Sequence, residues 1–127
     1  MQPRVLIVED REYLRQVMIA ILEDRGYVAL GLGSAAEALA GLPALRPDLI
    51  LLDLELPGMS GREFLMRVRE TALGANLPVL VISAHGDHAL ARCPRHALGV
   101  LAKPFDNDVL IMHVERMLDV RLDEASA

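Results

Sequence analysis

A chain of 127 residues has the length of one domain, and the expected unit is a single domain spanning 1–127, with its core over about residues 3–120 and a polar end over about 121–127. Apolar residues make up 53% and charged residues 24%, with Gly and Pro dispersed, which excludes a disordered or low-complexity chain. A formal net charge of -5 offers no cationic footprint for phosphate backbones, so direct nucleic-acid binding is not expected.

With two Phe, two Tyr and no Trp, the core must be aliphatic. The lone Cys93 excludes an intrachain disulfide and a thiol-rich metal site, and fits a reducing compartment as a small apolar residue. No apolar stretch approaches the roughly 20 residues needed to cross a bilayer, and no long apolar segment marks a signal peptide. The expected location is the cytoplasm, away from the membrane.

In chain order, Val5-Leu6-Ile7-Val8 is the first of four short apolar runs. Such continuous runs suit strands buried on both faces of a parallel sheet. Leu14, Val17, Met18, Ile21 and Leu22 then recur at helical spacing, and Gly26 supplies a left-handed stop. Tyr27-Val28-Ala29-Leu30 is weaker and reads as an edge strand. Ser34 precedes Glu37 by three residues, the spacing of a capping box that opens a second helix, which Gly41 and Pro43 are expected to shorten or kink.

The second run is Leu49-Ile50-Leu51-Leu52, followed by a third helix opened by Ser60 and Glu63 in the same capping arrangement. Val79-Leu80-Val81-Ile82 is the third run. A fourth helix is expected over Asp87 to Ala97, although Pro94 lies inside it. Val100-Leu101 forms the last short run, and Asp106 opens a final helix with Leu110, Ile111, Val114, Met117 and Leu118 on one face. The polar end Asp123-Glu124-Ala125-Ser126-Ala127 reads as a frayed terminus or the beginning of a linker. Five alternations of strand and helix predict an α/β, doubly wound parallel sheet covered by helices on both faces.

In such sheets ligands bind beyond the carboxyl ends of the strands. The residues placed there are Glu9-Asp10, Asp53, Ser83 and Lys103-Pro104. Three clustered carboxylates repel one another and demand a cation, and an oxygen-only set suits Mg2+. Asp10 and Asp53 are expected to bind the metal directly, with a backbone carbonyl near Glu55, and Glu9 through water. Asp53, at the end of a run walled in by the sheet, is the expected nucleophile toward phosphorus, while Ser83 and Lys103 hold the transferring oxygens. Each residue alone has a plainer role in turns or helix ends; their joint placement on one edge is what points to chemistry.

These segments resemble the response-regulator receiver family over nearly the whole chain. The resemblance rests on Val5-Leu6-Ile7-Val8-Glu9-Asp10, on Pro47 to Gly61 with Asp53, Pro57 and Gly61 at the family's spacing, on Val81-Ile82-Ser83-Ala84 and on Lys103-Pro104-Phe105. It implies a flavodoxin-like (βα)5 fold with strand order 2-1-3-4-5 and a Lys103-Pro104 bond that is often cis. By position, Glu9 and Asp10 match the acidic pair, Asp53 the phosphoacceptor, Ser83 the switch hydroxyl and Lys103 the phosphate-pairing lysine. The implied partners are a sensor histidine kinase or histidine phosphotransfer protein, with Mg2+ as cofactor. The implied activity is a signalling switch rather than an enzyme acting on a separate substrate. Output is expected through the face formed by the fourth helical segment, the fifth strand and the last helix, with a homodimer as one compatible assembly.

Three departures accompany the resemblance. Val100 stands where the family usually carries an inward-turning Tyr or Phe. The segment from Ser83 to Lys103 is about two residues shorter than in common relatives and contains Pro94 and His96. Glu55 and His85 occupy positions that tune the lifetime of the phosphoryl group. His85 and His88 read as rim histidines, and Arg62, Arg67 and Arg69 as a solvated helix face. Competing readings are a phosphorylation-independent receiver-like module and an Mg2+-dependent phosphohydrolase. A flavodoxin-like cofactor carrier fits poorly, because Glu9-Asp10-Arg11-Glu12 is no Gly/Ser/Thr phosphate cradle.

Overall fold

The four apolar runs and the weaker edge segment become five parallel strands in a computed structural model that describes residues 2–84 and 97–126, with side chains as far as 119. The strands are β1 (Arg4–Val8), β2 (Val28–Leu32), β3 (Leu49–Asp53), β4 (Val79–Ser83) and β5 (Leu98–Ala102). Between and after them lie α1 (Glu12–Asp24), α2 (Ala35–Leu45), α3 (Gly61–Glu70) and α4 (Asn107–Ser126). The sheet order is β2-β1-β3-β4-β5, as the family resemblance implies. The expected helix over Asp87 to Ala97 lies outside the described residues except at its last position, and so do Cys93, Pro94, His85, His88 and His96.

Alternation along the buried strands divides the interior into two layers. Leu6, Val8, Ile50, Leu52, Val79 and Val81 pack with Ala38 and Leu42 of α2 and Phe64, Leu65 and Val68 of α3. Val5, Ile7, Leu49, Leu51, Leu80 and Ile82 point the other way, onto Met18 and Leu22 of α1 and Leu110, Ile111, Val114 and Leu118 of α4. A strand with helices on both sides has no face for water, which explains its unbroken apolar runs. Each fully buried Leu or Ile contributes about 1.5–3 kcal/mol.

Local signals set the helix ends. The Ser34 hydroxyl accepts from the Glu37 amide (3.2 Å) and the Ser60 hydroxyl from the Glu63 amide (3.1 Å). Gly26 follows α1 at φ +89°, a left-handed conformation, and its amide donates to the Glu23 carbonyl at 3.0 Å.

Three expectations change. Helix α2 is neither stopped at Gly41 nor at Pro43 but runs to Leu45, because Leu42 is buried and Leu39 and Leu45 pack against the same layer. Pro43 falls in the last turn, where only one helical hydrogen bond is lost, and Arg46 closes the helix in a left-handed conformation. The polar stretch Asp123 to Ser126 continues α4 as helix instead of fraying. Arg62 and Arg67 are exposed as expected, but Arg69 turns inward: its guanidinium donates to the carbonyls of Gly74 (2.9 Å), Leu77 (2.6 Å) and Ala97 (3.4 Å). The α3–β4 turn presents carbonyls toward the start of β5, and a cation satisfies all three at once.

Gly61 sits where α3 leaves the loop after β3. A Cβ there would lie 2.6 Å from the Leu54 Cα and 2.8 Å from the Asp53 carbonyl oxygen, both backbone atoms that cannot turn aside. Gly61→Ala is therefore expected to destabilise the fold by about 1–3 kcal/mol, read as a lower urea midpoint; an unchanged midpoint would contradict this packing.

Candidate functional site

Parallel register builds the site. Val8 of β1 pairs with Leu52 of β3, so the next residues, Glu9 and Asp53, emerge at the same level on adjacent strands. Asp53 pairs with Ile82, one residue before Ser83, and Ser83 pairs with Ala102, one residue before Lys103. All five expected side chains therefore sit at one sheet edge, and one oxygen from each of Glu9, Asp10 and Asp53 lies within 4.8 Å of the others.

Asp53 is 4% exposed and its two oxygens are held differently. Oδ1 accepts from the Glu55 amide at 2.9 Å, while Oδ2 faces the Lys103 ammonium at 3.4 Å. Ser83 is fully buried at the end of β4, and its carbonyl accepts from the Lys103 amide at 3.0 Å, tying the two strand ends together. The Lys103-Pro104 bond is cis. Asp10 and Glu55 are exposed, as is Ala84 beside Ser83.

Glu9 is the unusual member, because it is a fully buried carboxylate. Oε1 accepts from the Arg11 amide at 3.1 Å, but Oε2 is buried with no hydrogen-bond partner among the described residues. Burial first, and then the neighbouring Asp53 carboxylate, push the Glu9 carboxyl up to about 7 against the opposing pull of the Arg11 amide and Lys103. A hard divalent cation fits this donor set: oxygen ligands only, an excess of negative charge and one buried oxygen left unsatisfied.

Reading residue types finds the carboxylates, the hydroxyl and the lysine. It misses the groups that orient them, namely the amides of Arg11 and Glu55 and the Arg15 guanidinium, whose Nη1 donates to the Glu9 carbonyl at 2.9 Å. Backbone donors leave no trace in residue identity. For Arg15 the available signal is the pair Gly31 and Gly33, in and just after the edge strand β2, which marks a close approach. Val100, where the resemblance leads one to expect a ring, is half-buried against the α2/α3 layer. It borders a surface cavity of about 440 Å³ with Ala102, Phe105, Val109 and His113.

The model of the response regulator receiver domain family matches residues 5–115. The nitrogen assimilation regulatory protein NtrX of Azorhizobium caulinodans is 38% identical over 119 residues, covering 91% of this chain and 26% of that protein. Sporulation initiation phosphotransferase F of Bacillus subtilis is 31% identical over 123 residues, covering 95% of this chain and 98% of that protein. The receiver domain of a sensor histidine kinase from Pseudomonas aeruginosa, solved with a magnesium ion coordinated in its active-site cleft, matches with a TM-score of 0.84 at 26% identity, over 94% of this chain and 99% of that one. The chain thus spans 26% of the length of such regulators as NtrX and the C4-dicarboxylate transport regulator DctD of Rhizobium meliloti. Sheet order, the carboxylate edge and the matched span agree, and the chain belongs to the response regulator receiver family.

Proposed function

We propose that this chain acts in the cytoplasm, where Asp53 accepts a phosphoryl group from the phosphohistidine of a sensor histidine kinase or histidine phosphotransfer protein. Mg2+ would be held by Glu9, Asp10, Asp53 and the Glu55 backbone carbonyl. The observation that carries this reading is the Asp53 carboxylate: nearly buried, fixed by the Glu55 amide, paired with Lys103 and flanked by two further carboxylates. Bound Mg2+ supplies the positive charge that lets a carboxylate and a phosphoryl group approach each other.

An Asp53 oxygen forms the new bond to phosphorus as the phosphorus–nitrogen bond of the donor imidazole breaks, and the neutral imidazole leaves with a proton. Lys103, already beside Oδ2, pairs with the arriving phosphoryl oxygens, and the Ser83 hydroxyl donates to another. Hydrolysis of the acyl phosphate returns Asp53 and inorganic phosphate, so the chain acts as acceptor and timer. Exposed Glu55 stands at the rim, where its charge bears on the incoming water and sets the lifetime. Output is assigned to the face around β5 and α4, where Val100 leaves loop movement rather than ring rotation as the coupling.

With Mg2+ and phosphoramidate, the wild-type chain is expected to gain the mass of one phosphoryl group, and Asp53→Ala none. A folded wild type that gains nothing would overturn the proposal. Lys103→Met is expected to slow phosphorylation by about 100-fold while leaving Mg2+ binding equal or tighter, since the competing ammonium is gone. Loss of Mg2+ binding instead would mean that the lysine serves the metal site.

The raised Glu9 carboxyl gives a pH dependence of known sign. Without metal, the folded chain holds a proton up to about 7 that the unfolded chain releases near 4.5, so this group's contribution to stability falls as pH rises between those values. Glu9→Gln should flatten that slope and raise the metal-free stability at pH 8 by about 1–2 kcal/mol, at the cost of Mg2+ affinity. Thermal melts across this range test it, and a mutant with the wild-type slope would count against the shift.

A further inference from the structure

Glu9 is fully buried; its side chain accepts from the Arg11 amide, and its backbone is held on both sides. Its amide donates to the Leu32 carbonyl at 3.1 Å, and its carbonyl accepts from Arg15 Nη1 at 2.9 Å. Arg15 reaches that carbonyl from α1 across the carboxyl end of β2, half-buried along its length. The edge strand is shaped for it. A Cβ on Gly31 would lie 2.8 Å from Ile19 Cδ1 and 3.0 Å from both Cγ and Cδ of Arg15, and a Cβ on Gly33 would lie 3.2 Å from Arg15 Nη1. Side chains at either position would meet the arginine, which needs that space to lie flat against the strand.

We propose that Arg15 is a positioning residue of the cation site: seated on Gly31 and Gly33, its guanidinium holds the Glu9 carbonyl and so fixes the turn that presents Glu9 and Asp10 to the metal. This rests on the Mg2+ reading given above. Glu9 and Asp10 are consecutive at the end of β1, so a rotation of the peptide between them moves both carboxylates relative to Asp53. The Leu32 carbonyl secures that peptide's N-terminal side, the Arg11 amide secures the Glu9 carboxylate, and Arg15 holds the carbonyl in between. Groups that orient ligands in this way govern metal affinity without touching the metal.

The test is calorimetric titration of the whole chain with MgCl2, with circular dichroism to verify the fold. Arg15→Ala is expected to weaken Mg2+ binding about tenfold. Arg15→Lys, which restores one donor and the charge, is expected to recover most of the loss, a rescue that a role confined to covering the strand does not require. Gly31→Ala keeps the arginine but displaces its stem, and is expected to weaken binding comparably. The double variant Gly31→Ala/Arg15→Ala should be no weaker than Arg15→Ala alone. Wild-type affinity in Arg15→Ala, failure of the lysine to rescue, or additive losses in the double variant would each overturn the inference. If Arg15→Ala does not fold, Gly33→Ala, whose added Cβ would meet Arg15 alone, decides: weakened binding supports the seat, and wild-type affinity overturns it. A wild-type chain that takes up no Mg2+ removes the metal reading and this inference together. Strong wild-type binding with an indifferent Arg15→Ala removes the inference alone.

Discussion

Two carboxylates buried side by side at the ends of adjacent parallel strands are the constraint on which the site depends. Glu9 is fully buried and Asp53 nearly so, which leaves little bulk solvent to screen one from the other. Burying like charges costs several kcal/mol unless opposite charge is supplied. Lys103 supplies some of it to Asp53, and protonation relieves Glu9 when metal is absent. A divalent cation would meet the demand of the whole cluster, which is the charge argument behind the proposed Mg2+ site.

The fold exists in service of that edge. Setting β1 and β3 side by side in parallel register puts Glu9 level with Asp53, and the β4 and β5 registers step Ser83 and Lys103 in behind them. Two aliphatic layers, one under α2 and α3 and the other under α1 and α4, keep the central strands dry and the register single. A slip by one residue would turn each strand's apolar set onto the wrong helices, so core packing and site geometry are enforced by the same contacts.

Much of this was legible in the residues because burial on both faces leaves an unbroken apolar run, and the polar residues Glu9, Asp53 and Ser83 that follow three of the runs mark the edge of the candidate site. Leu49 to Leu52 followed by Asp53 is the clearest example. Helix α2 was less legible: Gly41 and Pro43 carry local propensities that oppose a helix, whereas the packing of Leu39, Leu42 and Leu45 that overrides them is tertiary. Arg69 looked like its exposed neighbours Arg62 and Arg67, since what draws it inward is backbone carbonyls, two in the turn after α3 at Gly74 and Leu77 and one at Ala97, which residue types do not reveal. The amides that orient Glu9 and Asp53 are common to every residue type and leave no compositional trace.

Asp53 as the acceptor is tested most directly by chemical trapping of the acyl phosphate. After incubation with Mg2+ and phosphoramidate, borohydride reduction converts a phosphorylated aspartate to homoserine, which peptide mass mapping locates. The buried, Lys103-paired carboxylate predicts homoserine at position 53 and nowhere else. Homoserine at position 10, or a map with no reduced residue from a folded chain, would contradict it.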